Sequence, residues 1–174
     1  YSDFKITNGP FTSHPKANVA KHVFEAFRNK DMMIGAYFSK PDWNSQYFWW
    51  EKYATDDRNV NYNIGVHPDR WKKYQQFVFN QVEELTSDYG DVDILWFDGG
   101  WVREGRMVHG GEQSVNMPAL SVMARTNQPG LLIVDRTVPG KYENYQTPER
   151  TIPEVRLDHP WESCIPLNNN WGYV

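Results

Sequence analysis

DVDILWFDGGWV, residues 91–102, decides the fold. Val92, Ile94, Leu95, Trp96 and Phe97 make an almost unbroken apolar run, which reads as a strand buried on both faces. Such strands belong to parallel sheets covered by helices. The run stops at Asp98, followed by Gly99, Gly100 and Trp101. The glycines allow backbone angles that other residues avoid, and they are expected to leave space for a ligand beside the carboxylate. An aspartate at a strand end often does no more than cap its turn. Here Trp96 and Trp101 flank it, and apolar walls around a charge favour a chemical role.

The same order of elements recurs on both sides. Residues 14–31 put Val19, His22, Val23, Ala26 and Phe27 on one helical face, and residues 32–39 (MMIGAYFS) read as a short buried strand. A long aromatic and polar loop spans 40–66. Residues 67–90 form a second helix, with Pro68 in its first turn, Gly90 at its end and a stripe of Trp71, Tyr74, Val78, Val82 and Leu85. Residues 116–130 read as a third helix closed by Pro129-Gly130, 131–136 (LLIVDR) as a third strand, and 138–155 as a Pro-rich loop.

This βα alternation predicts an α/β fold with a parallel sheet. The strands end in polar or aromatic residues: Tyr37 and Ser39, then Asp98, then Asp135 and Arg136. Long loops follow those ends, while the helix-to-strand connections are tight. That polarity is the arrangement of a (β/α)8 TIM barrel, with chemistry at the C-terminal face. A doubly wound open sheet would usually carry a Gly-rich phosphate turn, which is absent. A full barrel takes about 250 residues, and the chain has 174. Residues 1–174 are therefore read as one partial catalytic barrel domain.

Composition narrows the function. The net charge is −4 and no Lys/Arg cluster tracks a phosphate backbone, which argues against nucleic acid. No apolar run approaches the roughly 20 residues of a membrane span, so no membrane partner is expected. The single cysteine, Cys164, excludes an intrachain disulfide framework and a cysteine-based zinc site. Eight Trp and ten Tyr suit either an aromatic core or a site that stacks on sugar faces. No signal peptide is visible, but the chain opens on Tyr1. A secreted, periplasmic or lysosomal-type compartment is expected if a leader stood before it.

GAYFSKPDW, YGDVDILWFDGGW, VDR, YQTPER and PWESCIPLNNNWGYV, in that order, resemble the catalytic domain of glycoside hydrolase family 29, the α-L-fucosidases. The opening, YSDFKITNGPFTSHPKANVAKHV, resembles the segment before that family's fourth strand. The resemblance implies a retaining exo-glycosidase that acts on a fucosylated oligosaccharide or glycoconjugate, with no cofactor or metal. It implies Asp98 as nucleophile and a second carboxylate as general acid/base, Glu149 first and Glu143 as runner-up. It makes Tyr37 and Trp96 sugar-pocket residues and Arg136 the cation that would hold Asp98 ionised. Trp101 and Trp171 are further substrate-binding candidates. Trp43, Trp49 and Trp50 either line a leaving-group subsite or staple their loop.

One departure stands out. The family's His-His pair has no counterpart, since His14, His22, His67, His109 and His159 stand apart. The activity is accordingly expected of the parent protein, and that of this fragment alone is left open. Three alternatives compete with this reading. A glycosidase for a related sugar such as α-L-galactose would differ in the pocket for the C5 substituent. A non-catalytic sugar-binding relative would need neither Asp98 nor Glu149. Metal-dependent hydrolysis would draw on Asp93, Asp98, Asp135 and His109, but Asp93 and Asp98 are placed on opposite faces of one strand.

Overall fold

A computed structural model describes residues 5–49, 61–108, 110–138 and 140–173. After a single 3-10 turn at Ile6–Asn8, helix α1 (Val19–Arg28) leads to strand β1 (Gly35–Ser39), and α2 (Pro68–Ser87) leads to β2 (Ile94–Asp98). A short antiparallel hairpin, β3 (Met107–Val108) with β4 (Gly111–Glu112), precedes α3 (Met117–Asn127) and β5 (Leu132–Asp135). Strands β1, β2 and β5 form one parallel sheet with β2 in the middle. Its register sets Tyr37 beside Trp96, Ser39 beside Asp98 and Phe97 beside Asp135. Beyond β5 the parallel sense continues in two isolated bridges, Gln146 to Trp161 and Glu149 to Cys164.

Side chains alternate along a strand, so each strand offers one set to the helices. Ala36, Leu95, Phe97 and Ile133 are buried in one core with Trp71, Tyr74, Val78 and Val82 of α2 and Leu120 and Ala124 of α3. The opposite face carries Tyr37, Trp96 and Asp98, and Tyr37 is 57% exposed. β1 and β2 are thus buried on one face only, not on both as their composition suggested, whereas β5 is buried on both, at Ile133, Val134 and Asp135. The polar and aromatic residues that interrupt the open face are the ones the site uses.

The helices begin where their caps allow. The Asn18 side chain accepts from the Lys21 backbone N–H at 3.2 Å, which starts α1 at Val19, five residues into the 14–31 segment. The Asn116 side chain does the same for α3, accepting from the N–H of Ala119. The α2 stripe is buried as expected at Trp71, Tyr74, Val78 and Val82. The α1 stripe is not: Val19, Val23 and Phe27 are exposed. This helix meets the rest of the chain through another face, where Phe24 packs edge-on to Tyr89 and the Arg28 guanidinium donates to the carbonyls of Tyr89 and Asp91. Among the described residues no helix is long and apolar enough to cross a membrane.

The C-terminal ends of the three strands are tied together by charge. Lys40, one residue past β1, is fully buried and pairs with both carboxylate oxygens of Asp135, the last residue of β5, at 2.7 and 2.9 Å. Between them the Lys40 N–H donates to the Asp98 carbonyl at 3.0 Å, and the Arg136 N–H donates to that of Phe97 at 2.9 Å. Burial pushes the Lys40 ammonium down and the Asp135 carboxyl up, and the attraction between them opposes both shifts.

Removing one member of such a pair leaves the other charge buried alone, which costs about 3–5 kcal/mol. Asp135→Ala should therefore lower the urea unfolding free energy by that order. A loss no larger than that of an exposed Asp→Ala control would show that the pair does not bind the strand ends together.

Candidate active site

The site is built on the open face at those strand ends. Asp98 closes β2 with its side chain 24% exposed. Its Oδ1 accepts from the N–H of Gly99 at 2.8 Å and lies 2.9 Å from Nε of Arg136, while Oδ2 accepts from the Tyr37 hydroxyl. The carboxylate caps its own turn and is also held by a side chain from each neighbouring strand end.

The two glycines after it are required, but not to make room for a ligand. Gly99 has φ +87°, and a Cβ there would come within 2.4 Å of the Pro41 ring. A Cβ on Gly100 would come within 2.4 Å of the Arg136 carbonyl oxygen. The space they leave is filled by the Pro41 ring and the Arg136 backbone, which draws the ends of β1 and β5 in around Asp98.

Trp96 supports the arrangement from below. Its ring stacks on Tyr37, with centroids 5.3 Å apart and planes 12° from parallel. The Arg136 guanidinium lies 4.8 Å from the centre of the same indole and 5.6 Å from that of Trp171. Burial first, and then the bond to Asp98, push the Tyr37 hydroxyl up to about 12, so it remains a donor at neutral pH.

Arg136 brings in a second carboxylate. Its Nη1 lies 3.0 Å from Oε1 of Glu149, so one guanidinium is paired with Asp98 and Glu149 together. The Glu149 backbone is fixed by its bridge to Cys164 and by the Arg150 N–H donating to the Cys164 carbonyl. Thr137 and Arg150, the residues after Arg136 and Glu149, both have positive φ, 57° and 58°. For a β-branched threonine this is a strained conformation, and it sits where two charges are aimed at one point.

The other candidates fall elsewhere. Glu143 faces Asp135 and His159 rather than Arg136, and burial pushes its carboxyl up to about 7. Trp101 is half-buried and meets Trp43 at 6.3 Å. Trp43 is 42% exposed, whereas Trp49 is in the core, where its carbonyl accepts from the Gln113 amide. Trp50 and His109 lie outside the described residues. Asp93 accepts from the Ile34 N–H at 2.7 Å, at the far end of the sheet from Asp98. Among the described residues, no three His, Cys, Asp or Glu side chains gather as a metal ligand set.

The sequence reading missed two features: the Lys40–Asp135 pair and Glu162, whose Oε1 accepts from the Trp96 indole N–H at 2.5 Å. The block PWES drew attention to this segment, but nothing in it singled out the glutamate.

A model of the alpha-L-fucosidase family matches residues 1–174. Among solved structures, alpha-L-fucosidase isoenzyme 1 from Paenibacillus thiaminolyticus is similar at 26% identity and a TM-score of 0.67, over 99% of this chain and 42% of that one. A GH29 alpha-L-fucosidase from Bacteroides thetaiotaomicron is similar at 20% identity and a TM-score of 0.65, over 95% and 37%. A bacterial fucosidase holding a monovalent iminocyclitol inhibitor is similar at 22% identity and 0.64, again over 95% and 37%. The chain thus spans about two fifths of the length of these relatives. None of the curated proteins searched matches the chain.

The Glu143 carboxyl makes stability depend on pH in a defined direction. Its folded value is about 7 against an ordinary 4.5, so between those values the folded state holds a proton that the unfolded chain has lost. Stability should therefore fall as pH rises through that window. Glu143→Gln should flatten the decline and exceed wild type above it, as read from urea midpoints at several pH values. A variant that tracks wild type throughout would mean that the carboxyl titrates as if in water.

Proposed function

The chain belongs to the alpha-L-fucosidase family, and from that premise we propose that it is an arc of a (β/α)8 barrel carrying the catalytic carboxylates of a retaining exo-α-L-fucosidase. The observation behind the reading is the shared cation: Arg136 pairs with Asp98 at 2.9 Å and with Glu149 at 3.0 Å. Asp98 serves as nucleophile and Glu149 as acid, then base. The substrate is a terminal α-L-fucosyl group on an oligosaccharide or glycoconjugate.

Retaining hydrolysis needs two carboxyl groups about 5–5.5 Å apart, on either side of the bond that breaks. In the first step a carboxylate oxygen of Asp98 attacks the anomeric carbon, while protonated Glu149 gives its proton to the departing oxygen. The product is a β-linked fucosyl ester on Asp98. The ester carries no charge, so Arg136 loses its anionic partner at Asp98 just as Glu149 becomes anionic. The cation thus balances one negative charge before the step and one after it. In the second step Glu149 takes a proton from water, the water attacks, and α-L-fucose leaves with Asp98 restored. Tyr37 and Trp96 would offer the sugar a ring face beside the nucleophile, with Trp171 near the same guanidinium.

One observation favours a second assignment: Glu143, at about 7, already holds its proton near neutrality, as a general acid should. Its surroundings, Asp135 and His159, make it the weaker choice.

Azide separates the roles in the full-length enzyme. Asp98→Gly should lower turnover of an aryl α-L-fucoside by several orders of magnitude, and azide, entering in place of the lost carboxylate, should give the β-fucosyl azide. Glu149→Ala should spare the first step for an aryl leaving group and cripple it for a sugar leaving group. Azide needs no base, so it should restore turnover there and give the α-fucosyl azide. Rescue of Glu143→Ala with none at Glu149→Ala would transfer the acid/base role to Glu143. Faster turnover of the aryl α-L-galactoside than of the fucoside would change the sugar.

A further inference from the structure

Trp96 touches both side chains that hold Asp98. Tyr37, from β1, stacks on its ring, and Arg136, from the end of β5 on the other side of β2, places its guanidinium 4.8 Å from the ring centre. The orientation of one indole therefore governs where two partners of the carboxylate can sit. A flat ring on a strand is free to turn about χ2 unless its edge is held. Stacking against Tyr37 limits tilt, but it leaves the direction of the ring in its own plane open.

The edge of the Trp96 ring is held by Glu162, 66 residues further along the chain. Its Oε1 accepts from the indole N–H at 2.5 Å. The glutamate is itself fixed: its carboxylate also takes a hydrogen bond from the Tyr145 hydroxyl, and burial pushes that hydroxyl up to about 12, so it stays a donor. The Glu162 backbone N–H donates to the Gln146 carbonyl at 3.0 Å, and the Gln146 N–H donates to the Pro160 carbonyl at 3.1 Å. Both bonds lie in the same bridged segment that carries Glu149. The pairing of 146–149 with 160–164 therefore holds both Glu149 toward Arg136 and Glu162 toward Trp96.

We propose that Glu162 is a positioning residue: it fixes the rotation of the Trp96 indole and, through that ring, the placement of Tyr37 and Arg136 around Asp98. The role rests on the fucosidase reading only for its kinetic consequence. It requires an acceptor at Oε1 and no exchangeable proton, which separates it from a general acid or base. Glutamine supplies the acceptor and alanine does not.

The test compares Glu162→Ala and Glu162→Gln in the full-length protein. For an aryl α-L-fucoside, Glu162→Ala should lower kcat by about 10²-fold, the scale expected when reacting groups drift by an ångström. Glu162→Gln should recover most of that loss. Azide should rescue neither variant, and the loss should be the same for good and poor leaving groups. Independently of turnover, the indole N–H resonance of Trp96, assigned by its disappearance in Trp96→Phe, should move upfield in Glu162→Ala and stay near its original position in Glu162→Gln. A Gln variant as impaired as the Ala variant, or azide rescue of either, would overturn the proposal and make Glu162 a proton-transfer residue. An unmoved indole resonance in Glu162→Ala would overturn it outright. Absence of fucoside turnover by the wild type, with the indole shift as described, would leave the positioning role standing and remove the fucosidase reading instead.

Discussion

A lysine and an aspartate meet out of reach of water behind the central strand, and the geometry of the open face depends on that meeting. Lys40 follows β1 and Asp135 ends β5, with β2 between them. A buried ion pair adds little net stability over well-packed apolar residues, because desolvation of both charges offsets their attraction. Its effect here is on register. If β1 or β5 slipped by one residue, one charge would turn to the other face and leave its partner buried alone. The register that avoids this sets Tyr37 level with Trp96 and Ser39 level with Asp98. The Gly99 and Gly100 contacts act the same way, since only glycine lets Pro41 and the Arg136 carbonyl come so close.

On that frame the site is a problem in distributing one positive charge. Arg136 faces two carboxylates and two indoles. A planar guanidinium suits this, because it donates in its plane while its faces lie against rings. A lysine in its place would offer a point charge and could not do both. The arrangement gives chemical sense to the strained backbone at Thr137 and Arg150, each one residue past a charged group that has to be aimed.

Much of this could be read before any coordinates. The order of helices and strands, the α2 stripe and the gathering of Tyr37, Asp98 and Arg136 at strand ends all follow from periodicity and from the polarity of βα units. What escaped has physical reasons. The α1 stripe shows that a helix is amphipathic, not which neighbour meets it, and Val19, Val23 and Phe27 are exposed while Phe24 and Arg28 make the contacts. The β3–β4 hairpin has two-residue strands, too short to carry a period. Lys40 gives no signal in the sequence, because lysine is rarely buried without a partner and its partner lies 95 residues away. Glu162 stands within the PWES block, but its bond to Trp96 exists only once the segment at 160–164 has folded against 146–149. At Gly99 and Gly100 the sequence shows the conformational freedom, but the neighbours that require it, Pro41 and the Arg136 carbonyl, come close only in the fold.

The central claim is that Asp98 forms the covalent bond to the sugar. Trapping tests it most directly. The full-length enzyme would be incubated with 2-deoxy-2-fluoro-α-L-fucosyl fluoride, whose good leaving group speeds the first step while the 2-fluorine destabilises the cationic transition state of the second. The account predicts that intact-protein mass rises by one fluorofucosyl unit and that, after proteolysis, the label sits on the Asp98 carboxylate in the peptide containing WFDGG. A label on Glu149, Glu143 or Glu162, or hydrolysis of the reagent with inversion and no adduct, would contradict it.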